Sequence, residues 1–410
     1  MSLLARNRSF RLLFSASAIS NLGDGVSALA FPWLATLITR DPALIALVAF
    51  ATRLPWLLFS IPVGVLTDRA DRRRLIVQAD TLRLILTAGV IALIFAIPTL
   101  PVTDRPEFYI AILSGLAFLL GTAEVVRDNA AQTVLPSIVP KADLERANGQ
   151  LWSVEQVMGS FIGPPLAGLL IALAVPAPFT LDALSFGLAA WLVWMIALPP
   201  RIAPPRRSIL TEMHEGWAWM RAHSTILRLA VMLGLINAMF IMSMTILVLL
   251  SQEILGLDAV GHGILLTAGA AGGVIGGLLG PLVVERIGPN RSVYAALALM
   301  PVPFVILAIT GNPFIAAVAL FLETVSGVLW NVVTVSYRQR RIPDDLLGRV
   351  NSIYRFFGWG MLPFGALLAG LLVSWAEPQL GRDAALRVPF ILGAVGAMLM
   401  FVYGLSRLRL

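Results

Sequence analysis

Gly64 to Arg74 reads GVLTDRADRRR, two carboxylates and four arginines in eleven residues. Such a segment is a solvated turn, and its setting decides the fold. It separates an apolar run over about 43–66 from another over about 75–98, each long enough to cross a bilayer, which takes about 20 residues of helix. Working outward, further apolar runs fall at about 10–38, 107–126, 147–175 and 178–198, and a second set at about 225–251, 259–284, 291–311, 313–336, 350–375 and 386–406. A backbone in hydrocarbon must satisfy its own hydrogen bonds, so runs of this length are helices. The expectation is an all-α integral membrane protein with twelve transmembrane helices in two six-helix, pseudo-symmetric halves.

Composition agrees. Of 410 residues 58% are hydrophobic and 13% charged, against about 25% charged in a soluble domain. There is no cysteine, which removes disulfides, thiolate nucleophiles and iron–sulfur sites. Only His214, His223 and His262 remain as imidazole ligands, so no metal and no cofactor is expected. Arg6, Arg8 and Arg11 before an apolar run imitate a signal peptide, but the run from Leu12 to Ile38 is too long for one and reads as the first span.

The net charge of +7 raises the question of a nucleic-acid surface. Walking the chain from an inside N-terminus puts 23 of the 30 basic residues in inner loops and tails, leaving Arg40, Arg105, Arg382 and Arg387 outside and Arg53, Arg83 and Arg355 within helices. That is the positive-inside pattern, and two basic termini demand an even number of spans with both ends cytoplasmic in the inner (plasma) membrane. No nucleic-acid partner is needed.

The longest polar connection is 199–224, with Arg201, Arg206, Arg207 and Arg221 among the prolines Pro199, Pro200, Pro204 and Pro205. It divides the chain into a half over 1–198, a cytoplasmic linker over 199–224 and a half over 225–410. The halves carry a repeat. Gly163 to Leu170 reads GPPLAGLL and Gly365 to Leu372 reads GALLAGLL, and upstream Pro140, Leu144, Arg146 and Asn148 match Pro343, Leu347, Arg349 and Asn351. Internal duplication of this kind marks secondary transporters, whose site lies between the repeats.

The stretch Gly64 to Arg74, between the second and third helices, resembles the signature of the major facilitator superfamily: glycine, three residues, aspartate, a basic residue, two more, then a basic cluster. Asp71 stands where that family usually has a second glycine. Physically, Asp68 can pair with Arg72 on one helical turn and can face the N-terminal dipole of a neighbouring helix. The resemblance implies a conformational latch of Gly64, Asp68, Arg69 and Arg72, with the start of the eleventh helix near Gly348 as partner and Asp128 completing the cluster. Gly159, Gly163, Pro164 and Gly168 are similar to the antiporter motif of the fifth helix, with Ala167 replacing a glycine; close helix packing explains the same residues. Ser20 to Asp24 (SNLGD) and Arg53 to Pro55 (RLP) resemble the macrolide and enterobactin exporter branch. Many drug antiporters carry an arginine in the outer half of the fourth helix, but Phe108 to Thr122 has none, which leaves Arg53 or Arg355 for that role.

Ionisable groups inside a bilayer are costly, so each is a functional candidate. Asp24 and Arg53 fall near the membrane centre and can pair. A lone Asp24 would exchange protons, whereas a paired one would hold two helices, and both readings stand. Glu155 and Glu323 lie deep enough to line a cavity, or pack between helices. Asp80, Arg83, Glu124, Arg127 and Asp182 read as groups nearer helix ends that snorkel or pair at the interface.

These readings converge on a proton-coupled secondary exporter of amphipathic small molecules, drugs such as macrolides or a siderophore, acting by alternating access as a monomer in the lipid bilayer. Asp24, Glu155 and Glu323 against Arg53 and Arg355 favour neutral or weakly cationic substrates. An importer or lipid flippase of the same fold and a non-transporting receptor or scaffold are the alternatives. An enzyme is not expected, since no catalytic constellation stands out.

Overall fold

The computed structural model describes residues 3–140, 143–197 and 209–408. Twelve long helices follow one another: α1 (Arg8–Ile38), α2 (Pro42–Arg69), α3 (Arg72–Ala96), α4 (Pro106–Ile138), α5 (Leu144–Leu173), α6 (Ala177–Trp194), α7 (Ser224–Glu253), α8 (Ala259–Ile287), α9 (Pro289–Ile309), α10 (Pro313–Arg341), α11 (Asp344–Gly360 continued by Leu362–Leu380) and α12 (Arg382–Arg407). Eleven of these meet the length and hydropathy of a membrane span. The other, α1, has 31 residues, and its Ser15, Ser17, Ser20, Asn21 and Asp24 lower its mean hydropathy. The protein is an all-α, twelve-helix membrane protein.

Local chemistry sets the helix ends. Asn7 caps α1 by accepting from Phe10 N at 2.9 Å, Asp71 caps α3 from Arg74 N at 3.1 Å, and Asn312 caps α10 from Phe314 N at 2.8 Å. Asp71 has φ −66° and ψ 110°, an extended conformation open to any residue, so the glycine usual there in the family is not required by this turn. Several helices outrun their apolar sequence. Expected to end near 126, α4 continues to Ile138 because Ala130, Val134 and Leu135 stay on its buried face.

Two compact units account for the chain: Met1–Arg40, Leu47–Pro205 and Asp258–Ile264 form the first, and Asp41–Ala46, Arg206–Leu257 and Leu265–Leu410 the second. In the first, α1 lies against α6 and α5, and α3 packs between α4 and α6. In the second, α7 packs on α11 and α12, and α9 on α10 and α12. Phe95, Leu173 and Phe314, 76%, 80% and 81% exposed, face the lipid rather than a core.

The repeated glycines occupy matching places. A Cβ on Gly163 would lie 2.7 Å from Gly25 Cα on α1, and one on Gly365 would lie 2.8 Å from Ala238 Cα on α7; each contact sits where the fifth helix of a half meets its first. Further along, a Cβ on Gly168 would reach the Ala259 carbonyl that opens α8, and one on Gly370 the Pro42 carbonyl that opens α2. The first of these pairs lies in the first unit and the second in the second.

The 199–224 connection contains a helix that its prolines do not announce, Ile209–Ala222. It docks within the second unit, where Glu215 pairs with Arg349 at 2.5 Å and Trp217 stacks on Phe357 with ring centroids 6.1 Å apart. Arg201, Arg206, Arg207 and the four linker prolines lie outside the described residues.

Candidate functional site

The first unit holds a buried chain of charges built by four helices. Gly23 lets α6 close onto α1, since a Cβ there would collide with the Ser185 hydroxyl and the Asp182 carboxyl. That approach brings Asp182, 1% exposed, to Ser27, whose Oγ donates to Asp182 Oδ2 at 2.5 Å. From α3, Arg83 forms an ion pair with Asp24 on α1. Its guanidinium lies 3.7 Å from Asp80 Oδ1 and 3.8 Å above the centroid of the Phe186 ring. Arg127 of α4 approaches the same Asp80 oxygen at 3.6 Å and holds Asp128 at 3.2 Å. Glu124, one turn earlier on α4, is within electrostatic reach of Asp24, Arg83 and Arg53.

Arg83 and Arg127 thus lie among five acids, of which Asp80 and Asp182 are buried and Asp24, Glu124 and Asp128 partly exposed, with Arg53 also near Glu124. Pairing is incomplete: both Asp80 oxygens, Asp182 Oδ1, Arg83 Nε and Nη1 and Arg127 Nε are buried without a hydrogen bond among the described residues. An ionised Asp182, buried with only the Ser27 hydroxyl bonded to it, would carry a charge without a contacting counter-ion, whose cost exceeds that of holding a proton. The arrangement is suited to binding and releasing protons.

The structure redistributes the residues singled out by sequence. Asp24 pairs with Arg83 and not with Arg53, which is half-buried on α2 beside α4, where Gly121 admits the Thr52 carbonyl. Asp80, Arg83, Arg127 and Asp182 do not snorkel outward; they are 0%, 4%, 6% and 1% exposed and face one another within the unit. Glu155 is exposed, at the junction of α5 with a π-helical segment, Gln156–Ile162. Arg355 is exposed on α11 with its guanidinium 5.3 Å from the Trp359 ring centroid, whereas Glu323 is buried on α10 of the second unit.

Of the latch residues, Arg72 donates to the Thr133 carbonyl of α4 at 2.5 Å and Asp128 sits beside Arg127. The side chains of Asp68 and Arg69 lie outside the described residues. A Cβ on Gly64 would meet nothing within 4 Å. Gly159 and Gly163 serve a close approach: a Cβ on Gly25 would strike the Gly159 carbonyl, and the π-helical segment, a feature that often marks functional positions, occurs at this crossing. Pro164 and Gly168 continue the same face of α5 toward the start of α8, a Cβ on Gly263 reaching the Pro164 carbonyl.

Depth along α3 is the signal that places Arg83 away from the helix end. Arg83 lies eleven residues beyond Arg72, about 16 Å at 1.5 Å per residue, near the middle of a hydrocarbon layer about 30 Å thick.

A helical bundle with an internal duplication and an ionic network among its helices defines a membrane transporter. Residues 3–408 match the family model for the transmembrane secretion effectors, MFS_3, and the chain belongs to that family of the major facilitator type. It is similar to the multidrug efflux pump Tap of Mycobacterium tuberculosis, 27% identical over 384 residues that cover 90% of this chain and 88% of that protein. Macrolide efflux protein A of Streptococcus pyogenes is 23% identical over 371 residues, 89% of each chain, and the staphyloferrin A transporter of Staphylococcus aureus is 24% identical over 366 residues, 88% of each. A crystal structure of a variant of the nucleoside transporter NupG superposes with a TM-score of 0.78 at 12% identity, covering 98% of this chain and all of that one, and it supports the fold.

Proposed function

We propose that this protein is a proton-coupled exporter of amphipathic small molecules, drugs such as macrolides or a siderophore, working by alternating access as a monomer in the plasma membrane with both termini cytoplasmic. The carrying observation is Asp182, buried in the first unit with the Ser27 hydroxyl on one oxygen and no arginine in ion-pair contact among the described residues. Two relatives are efflux proteins by name, which supports the outward direction; the fold alone is neutral between export and import.

Asp182 is the proton-binding group in this reading, because its nearest partner is the Ser27 hydroxyl, while Asp24 has Arg83. A proton on Asp182 lowers the negative charge facing Arg83 and strengthens its hold on Asp24 and Asp80. Loss of that proton pulls the guanidinium back toward Asp182. Either displacement shifts α3 against α1 and α6, the motion by which a proton is exchanged for substrate.

Competition in inside-out vesicles tests the substrate class. A lipophilic cation and a macrolide should compete for uptake driven by an inside-acid gradient, with a metal-free catecholate as the siderophore arm. Preferred transport of small anionic metabolites over all three overturns the reading.

A further inference from the structure

The second unit contains a cavity that the charge network does not use. It measures about 200 Å³ and lies among α7, α9 and α10, with Asn237 and Phe240 on one wall, Phe304 on another, and Glu323, Gly327 and Trp330 on the third. Glu323 is the only ionisable group in this wall. It is 8% exposed, and neither carboxyl oxygen meets a full hydrogen-bond geometry among the described residues, although the Ser243 hydroxyl of α7 lies near enough to donate to it. The Trp330 indole is fully buried and its Nε1 also lacks a partner. Asn237 spends one amide hydrogen on the Gly358 carbonyl at 2.9 Å, which fixes the side chain and leaves its amide oxygen as an acceptor.

A buried carboxyl with no counter-ion and at most a hydroxyl beside it is costly as a charge, and a proton or a bound cation relieves that cost. The group that answers a carboxyl, an amide oxygen and two phenyl rings is a cation bearing N–H donors: it pairs with the carboxylate, donates to the amide, and is attracted by an aromatic lining. No guanidinium or ammonium in the wall would receive an anion. The volume is below the roughly 300–1,000 Å³ of a drug-sized ligand site, so it holds the head of a ligand and the ring beside it.

We infer that this cavity binds the ammonium end of an amphipathic amine, with Glu323 as its counter-ion and the Trp330 indole N–H as donor to an acceptor on the same ligand. The inference names a substrate class for the export reading and rests on it only for what is carried, since binding requires no gradient.

The test is equilibrium titration of the purified full-length protein in lipid nanodiscs, at neutral pH and without a gradient, with 9-aminoacridine, which is cationic there, and acridine, which is mostly neutral. The wild type should bind 9-aminoacridine about tenfold tighter or better, the size of one charge-assisted hydrogen bond. Glu323→Gln should remove that preference, weakening 9-aminoacridine by about tenfold and acridine by less than about twofold. A Cβ at Gly327 meets nothing within 4 Å, so Gly327→Leu should fold, fill the cavity and weaken both probes. That variant decides the matter if Glu323→Gln does not yield folded protein. Equal affinity of the wild type for the two probes, equal losses in Glu323→Gln, or unchanged binding of both to Gly327→Leu would overturn the inference. Failure of proton coupling in vesicles would leave all of these binding results as they are, so the two readings fail separately.

Discussion

Arg83 of α3 and Asp24 of α1 form an ion pair inside the first unit, the arginine 4% and the aspartate 31% exposed. Buried pairs contribute little net stability, but removing one partner strands the other charge.

Asp24→Asn should destabilise the protein by about 1.5–3 kcal/mol, the scale of one lost charge-assisted hydrogen bond, because Arg83 keeps Asp80 at 3.7 Å and Asp24 is partly exposed. Neutralising Arg83 as well, Arg83→Gln, should recover much of that loss, whereas neutralising Arg53 should recover none. Denaturant unfolding of the three variants in detergent reads the coupling. Recovery through Arg53 instead would place the pair elsewhere.

Glycines separate in the opposite sense from the motif. Gly64→Ala in the signature should be tolerated and, on helix propensity, even favourable by about 0.5–1 kcal/mol, because an added Cβ meets open space. Gly25, outside any motif considered from sequence, packs on the Gly159 backbone. Gly25→Ala should lower the yield of folded protein or its melting temperature sharply. Equal tolerance of both substitutions would contradict the close approach of α1 and α5.

The latch implied by the family resemblance predicts that Asp68→Asn leaves the protein folded and able to bind ligand but slows turnover and shifts it toward the inward-open arrangement. The chain has no cysteine, so single cysteines introduced at either mouth report accessibility without background. Unchanged transport together with unchanged labelling on both sides would remove the latch.

The twelve helices were legible because hydrocarbon sets a length that each apolar run meets, and the duplication was legible at Gly163 and Gly365 because each position demands a residue without a side chain. The network was not. Depth along a helix can be counted from its polar end, but the direction a residue faces around the helix depends on its neighbours. Arg53 and Arg83 both lie deep in their spans, and only the packing of α3 between α4 and α6 selects Arg83 as the partner of Asp24. Reading the third span from residue 75, when its helix begins at Arg72, also made Asp80 and Arg83 look shallower than they are. The linker helix escaped for a related reason: the prolines before it argue for a loop, and Trp217 finds its partner Phe357 only in the folded unit.

The central claim is that a proton held in the first unit drives transport, and proton movement measured in proteoliposomes during substrate addition tests it most directly. Addition of a transported macrolide or lipophilic cation should move protons in the opposite direction in the wild type. In Asp182→Asn that movement and gradient-driven accumulation should both be lost while substrate–substrate exchange persists. Substrate transport in the wild type with no accompanying proton movement, or full coupling retained in Asp182→Asn, would contradict the account.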